Sequence, residues 1–285
     1  MGTSSSYGGP KNNTPLIPSW LDDVIDTPGA SNNTKDNGQN NEVAQEINLP
    51  PLPPAETGHR FRGPRSNFSK YLNSQGRDTM SLKNSFQGYV GSSLGGSKNA
   101  AIRMGSSRKV AGRILGLFSS IQNNGYETTL SNYNLREYLN KPIKETLLKL
   151  IELVCLSDIP GANLDEAIAR RAAVEALMDL NKEKINIDTL EQDTAFLKYL
   201  MQTFITKSIK NRLLEDLGKN IIISPENKSN LKSIEMNLES YIKNCTSKGM
   251  QKEFNQTGSI SNTQIQKTIM SIYGKAYKFL EQFGE

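Results

Sequence analysis

Apolar residues are sparse over the first 58 positions. Gly, Ser, Asn and Pro dominate there, in runs such as Ser31-Asn32-Asn33-Thr34 and Asn37-Gly38-Gln39-Asn40-Asn41. So little apolar surface cannot offset the entropy of ordering the backbone, and residues 1–58 read as a long disordered N-terminal arm. From residue 60 onward the periodicity is helical, with no alternating strand pattern. Phe68, Tyr71 and Leu72 mark one short helix, and Leu82, Phe86, Tyr89 and Val90 mark a second. A Gly-rich break from Gly91 to Gly96 leads into a helix over 98–122, where Ile114, Leu115, Phe118 and Ile121 share one face.

The later helices carry clearer punctuation. Pro142 opens a strongly apolar helix that includes Leu147, Leu148, Leu150, Ile151, Leu153, Val154 and Leu156 and ends before Pro160; its apolar width predicts a central position. Asn163 with Glu166 forms a capping-box-like start for a helix over 164–182, and Asp188 with Glu191 starts the next, which stops near Gly218. Ser224-Pro225 reads as an N-cap followed by Pro at the first helical position, for a helix running to about Lys248. A last helix spans 262–283 and carries Ile265, Ile269, Ile272, Tyr273, Tyr277, Leu280 and Phe283. The fold class is therefore all-α: an irregular helical domain behind the arm.

Charge divides the chain further. Residues 1–58 hold two Lys/Arg against seven Asp/Glu, residues 59–113 hold eleven against one, and residues 114–285 hold twenty-one of each sign. The expected organisation is an arm (1–58), a basic Gly/Ser-rich helical segment (59–113) and a helical core (114–285). A single histidine, His59, excludes His-clustered zinc sites, and its place at the arm junction is poor for a preorganised base. Carboxylates such as Asp165-Glu166 and Glu215-Asp216 read as caps and solvated helix faces. No catalytic activity, cofactor or metal is expected. Cys155 and Cys245, ninety residues apart in helical stretches, point to a reducing compartment. No apolar run reaches the roughly 20 residues of a membrane span, and no secretory signal opens the chain. The expected location is cytoplasmic.

Four stretches carry candidate chemistry. Gly91-Ser92-Ser93-Leu94-Gly95-Gly96-Ser97-Lys98 looks like a phosphate loop, but its Lys sits one place late, Asn99 replaces the magnesium-binding Ser/Thr, and no strand precedes it. What remains is an anion held by Lys98 at a helix capped by Ser97, against a plain turn. In the basic segment Lys98, Arg103, Arg108, Lys109 and Arg113 are candidates for binding nucleic acid or another anion, with Phe61, Phe68, Tyr71, Phe86 and Tyr89 either stacking on bases or facing the core. Within the arm, Pro15-Leu16-Ile17-Pro18-Ser19-Trp20-Leu21 holds the only Trp and reads as a docking peptide, while Leu49-Pro50-Pro51-Leu52-Pro53-Pro54 reads as a polyproline spacer or a second docking peptide. Lastly, removal of Met1 would expose the amine of Gly2, partly neutral at physiological pH and so able to attack an activated acyl or nitrile-derived group.

Met1-Gly2-Thr3-Ser4-Ser5-Ser6-Tyr7-Gly8-Gly9-Pro10, Pro15 to Trp20, His59-Arg60-Phe61-Arg62-Gly63-Pro64-Arg65, Gly88-Tyr89-Val90, Gly95 to Ala100, Arg103-Met104-Gly105 and the Asp165-Glu166-Ala167 helix together resemble the QatB family of bacterial antiphage defence proteins. The resemblance implies a four-component system in which such a protein accompanies a P-loop ATPase, a QueC-like enzyme and a TatD-like nuclease. It further implies that the QueC-like enzyme joins a deazaguanine to the N-terminal glycine. On this sequence Gly2 becomes the acceptor, and Thr3, Ser4, Ser5, Ser6, Tyr7, Gly8, Gly9 and Pro10 the recognition peptide, with Trp20 as a further partner contact. The alternative is an adaptor that binds nucleic acid through residues 60–113 and recruits the nuclease. No membrane is involved in either.

Overall fold

The computed structural model describes residues 60–142, 163–182, 194–219, 230–251 and 262–283, together with 145, 146, 149, 152, 153 and 221. All of them fall within the unit Asn48–Glu285. The described residues are all-α, with no strand among them. In order they form α1 (Arg62–Asn73), α2 (Thr79–Gln87) continued by a π-helical turn (Gly88–Ser93), α3 (Ser97–Ile102), α4 (Gly105–Asn124), α5 (Tyr126–Asn132) and a 3₁₀ turn (Arg136–Tyr138). There follow α6 (Leu164–Lys182), α7 (Thr194–Gly218), α8 (Leu231–Met250) and α9 (Asn262–Glu281).

Local chemistry explains several boundaries. Asn163 Oδ1 accepts the Glu166 N–H at 2.9 Å, so α6 opens at the cap its sequence predicts. Helix α7 ends at Gly218, and α9 covers nearly all of the expected 262–283 span. Two expectations need correction. The Gly-rich stretch is not a break from Gly91 onward: the helical path continues through Ser93, and the Leu94 and Gly96 N–H groups donate to the carbonyls of Tyr89 and Val90 at 2.9 and 2.8 Å. Two of its glycines serve close packing. A Cβ on Gly88 would sit 3.2 Å from Pro64, and one on Gly91 would sit 2.9 Å from Glu281 Oε1. The reversal itself is made at Gly95 and Gly96, whose φ values of +77° and +94° suit glycine. The single helix expected over 98–122 is in fact two, interrupted at Arg103 and Met104; the interruption lets Met104 and Arg108 both turn inward. The apolar helix opened by Pro142, most of its Leu and Ile residues, Cys155, the Phe118 side chain and the starts at Asp188 and Ser224 lie outside the described residues.

Among the described residues the centre belongs to α7. It packs against α6, α8, α4 and α1, while α9 lies across α8, α3 and α4. Leu200, Met201, Phe204, Ile205, Ile209, Leu213 and Leu217 are buried, but so are Thr203, Thr206, Lys207, Ser208, Lys210 and Asn211. A helix buried this widely must satisfy its polar side chains internally. Lys207 Nζ pairs with Asp179 at 2.8 Å and with Glu239 at 2.5 Å. Lys210 Nζ reaches Glu235 and Glu239, each at 3.0 Å, and Glu175 at 3.7 Å. Burial works against both ammonium charges, yet the hydrogen bonds they donate to these carboxylates outweigh it and raise both lysines above their ordinary pKa. Burial likewise acts to raise Glu239, and the two lysines reverse the sign and hold it below the usual carboxylate range. On the far side Ser208 Oγ and Tyr273 Oη share a 2.7 Å hydrogen bond that joins α7 to α9.

Residues of the basic segment and of the neutral segment share one apolar core. Phe68, Phe86, Tyr89 and Leu94 lie in the same cluster as Phe204, Ile242, Ile269 and Tyr277. The α8–α9 crossing is tightest at Gly249, where a Cβ would meet the Ile272 carbonyl oxygen at 3.1 Å and the Ala276 nitrogen at 3.2 Å.

Two outcomes follow for stability. Lys210→Ala strips Glu235 and Glu239 of a buried partner and should cost about 3 kcal/mol in urea denaturation at neutral pH. Because Glu239 titrates below its ordinary value of 4.5 in the fold, that difference should be full above this pH and shrink as the pH falls further. Gly249→Val should force α8 and α9 apart and lose about 2 kcal/mol or more in the same measurement.

Candidate functional site

The expected acceptor Gly2, the peptide Thr3 to Pro10 and Trp20 lie outside the described residues, as does His59. The structure does place the expected basic residues, and it scatters them. Lys98 on α3 and Lys109 on α4 are exposed, Arg113 is half-buried, and Arg108 is 6% exposed. The Arg108 Nη2 donates to the Ile102 carbonyl at 3.2 Å, which closes the interruption between α3 and α4. Burial lowers the pKa of Arg108, and its Nε has no hydrogen-bond partner. Ser97 is not a cap: Gly96 occupies that position, no side chain caps α3, and the helix is only six residues long.

The aromatic residues of the segment point inward. Phe68, Tyr71, Phe86 and Tyr89 are buried, and Phe61 is packed against the core with its ring centroid 6.0 Å from that of Tyr89. None of the four buried rings can stack on a base. Of the two readings of these aromatics, the core-facing one holds.

What the fold assembles instead is a polar junction between α1, the π-helical turn and the C-terminal turns of α7. Ser93 Oγ donates to the Arg60 carbonyl at 2.7 Å, and Ser85 Oγ to the Pro64 carbonyl at 2.8 Å. The Arg65 guanidinium lies 5.4 Å from the centroid of the Phe61 ring, and its Nε donates to the Asp216 carbonyl at 2.7 Å. From the π-helical turn, Tyr89 Oη donates to Asp216 Oδ2 at 2.8 Å. The same oxygen accepts from Arg212 Nε at 2.9 Å, and Arg212 Nη1 bonds Asp165 at the start of α6. Burial opposes the Arg212 charge, but Asp216 and Asp165 outweigh it and its pKa rises. Burial, followed by the charges of Tyr277 and Asp216, keeps the proton on Tyr89, so its hydroxyl stays a donor.

Sequence reading missed this junction. Asp165 and Asp216 read there as caps or solvated faces, whereas both are taken up by Arg212. One signal was available, the Arg212 and Asp216 pair at i, i+4 spacing. Tyr89 and Asp216 are 127 positions apart, and no pattern in the sequence links them. The described residues contain no group of three or more side chains suited to a metal ion and no helix long and apolar enough to cross a membrane.

Residues 95–280 match the family model described as the Qat anti-phage system associated protein QatB. The chain belongs to the QatB family. No curated protein and no solved structure shows a significant match to it. Family membership makes the chain a component of the Qat antiphage defence system. The QatB match begins at Gly95, at the reversal before α3, and takes in Arg103, Asp165, Arg212 and Asp216; Arg60, Arg65 and Tyr89 precede it.

Tyr89→Phe removes only the hydroxyl and should cost about 1–2 kcal/mol in chemical denaturation, because Asp216 loses a buried donor. Lys98→Glu and Lys109→Glu, both on the surface, should each change stability by less than about 0.5 kcal/mol.

Proposed function

We propose that this QatB-family protein acts in antiphage defence as a protein substrate and adaptor and catalyses no reaction itself. After removal of Met1, the Gly2 amine enters the active site of a QueC-like partner enzyme, which holds a deazaguanine as an activated carboxyl derivative. The amine nitrogen attacks the carboxyl carbon and a C–N bond forms. The activating group then leaves with its bonding pair, and the nitrogen gives up a proton. Thr3 to Pro10 serve as the peptide the enzyme reads, and Trp20 as a further anchor on a partner. The P-loop ATPase and the TatD-like nuclease of the same system are the other partners, and the setting is cytoplasmic.

The observation that carries this reading is the family match over 95–280, which supports membership of the Qat system. The opening decapeptide, similar to that of the family, supports Gly2 as the acceptor. The competing reading, a nucleic-acid adaptor acting through residues 60–113, is left with little to stack on a base, since four of the segment's five aromatic residues are buried in the core and Phe61 is packed against it.

Intact-mass measurement of the full chain co-expressed with its partner enzymes tests the proposal. The expected species is the Met-less chain plus one deazaguanine adduct, and Gly2→Glu should lose both the adduct and phage protection. A partner-competent preparation that yields only the unmodified Met-less mass would overturn it. Binding to DNA or RNA that weakens steeply with salt, and is abolished by reversing Arg103, Arg108 and Lys109, would favour the adaptor reading instead.

A further inference from the structure

The start of α4 gathers hydrogen-bond donors that the chain leaves unmet. The backbone N–H groups of Gly105, Ser106 and Ser107 have no acceptor among the described residues, the first bond of the helix being Arg108 N–H to the Met104 carbonyl at 2.8 Å. No side chain caps this end and its first turn holds no acidic residue, although the helix runs for 20 residues and so presents a full positive dipole end here. The place is reachable: Gly105 and Ser106 are only half-buried, and a Cβ on Gly105 would meet nothing within 4 Å.

An unmatched charge lies beside these groups. Arg108 is only 6% exposed, and an arginine so far out of water normally lies against a carboxylate. No carboxylate among the described residues pairs with it; the Ile102 carbonyl is the one acceptor of its guanidinium, and its Nε is shielded from solvent without a partner. The bond to Ile102, 3.2 Å from Nη2, fixes where the guanidinium lies. The side chain leaves the first turn of α4 and doubles back past Met104 to the residue that ends α3. Guanidinium and unbonded N–H groups therefore share one end of the helix. Nη1 has no partner either and, unlike Nε, is not closed off from solvent.

We propose that the start of α4, through the N–H groups of Gly105, Ser106 and Ser107 and the guanidinium of Arg108, binds a terminal phosphoryl group, free or carried by a nucleotide. Two features select this ligand. Its three terminal oxygens can accept from the N–H groups of the helix start and from a guanidinium alongside, whereas a carboxylate offers two oxygens and a phosphodiester within a nucleic-acid strand only two unbridged ones. Its double charge suits surroundings poor in acid: no Asp or Glu occurs from residue 79 to residue 126, and α9, which crosses α3 and α4, carries none before Glu281. The site stands apart from Gly2 chemistry, so either proposal can fail without the other.

The test is calorimetric titration and thermal melting of the full chain at low ionic strength, with inorganic phosphate, ADP, acetate and a single-stranded oligonucleotide with hydroxyl ends as probes. Phosphate or ADP should bind and raise the melting temperature of the wild type, with acetate and the oligonucleotide at least about tenfold weaker. Tighter binding of ADP than of phosphate would assign the phosphoryl group to a nucleotide, and equal binding to the free ion. Gly105→Asp places a carboxylate in the open space at the helix start. It should weaken phosphate binding about tenfold or more and, without ligand, melt no lower than the wild type, because the new carboxylate takes up the unbonded N–H groups. Arg108→Met keeps the length of the side chain without its charge and should also weaken binding about tenfold; if it does not fold, the Gly105→Asp result decides. Absence of phosphate and ADP binding, binding unchanged by Gly105→Asp or by a folded Arg108→Met, or acetate or oligonucleotide binding as tight as phosphate would overturn the proposal.

Discussion

Helix α7 carries three cations into the interior, and the helices around it are arranged to meet them. Lys207 and Lys210 are nearly removed from water, a state that costs several kcal/mol for each ammonium unless carboxylates surround it. Those carboxylates come from α6, as Glu175 and Asp179, and from α8, as Glu235 and Glu239. Neither helix can slide along α7 by a turn without leaving charges buried and unmatched. Apolar burial drives the three helices together, and the ion pairs decide which register they adopt.

Toward the C-terminal end of the same helix the pattern repeats with Arg212, now joined to Asp165 of α6 and to Asp216 within α7. Here a third party enters, because Tyr89 and Arg65 also bond to Asp216. The π-helical turn that carries Tyr89 is stapled to the centre of the fold from outside the region the family match covers. Turns of this kind widen the helix by one residue and often mark functional positions. The basic segment is therefore not one charged face but several separate devices. Arg108 supports a chain interruption from within, Arg65 clamps a carbonyl, Lys98 and Lys109 meet solvent, and Arg103 sits among charges already committed elsewhere.

What could be read from the sequence was what local chemistry determines. The Asn163 cap, the stop at Gly218 and the apolar stripe from Ile265 to Leu280 all depend on residues within a few positions of one another. The Gly-rich stretch misled for the opposite reason. Glycine suits both a reversal and a close approach, and only the distant neighbours of Gly88 and Gly91, Pro64 and Glu281, reveal the second use. Burial of Arg108 and the engagement of Asp216 were hidden in the same way, since a charged side chain looks solvated until its partner is known. Helix α7 shows the limit most clearly: Lys207, Lys210 and Asn211 would ordinarily mark a wet face, and the carboxylates that allow their burial lie 25 to 36 positions away.

The clamp between Arg65 and the Asp216 carbonyl bears on how the body would register events at its N-terminal end. A pull transmitted through the backbone at Arg60 does not stop at α1. It passes through the Arg60 carbonyl to Ser93, through Arg65 to the last turns of α7, and through Tyr89 to the same aspartate. These connections act in parallel, so tension is shared between a surface helix and the central one. Mechanically, α1 is a bracket fixed to the axle of the fold, and a load applied at Arg60 would reach the central helix without first unpacking the helices between them.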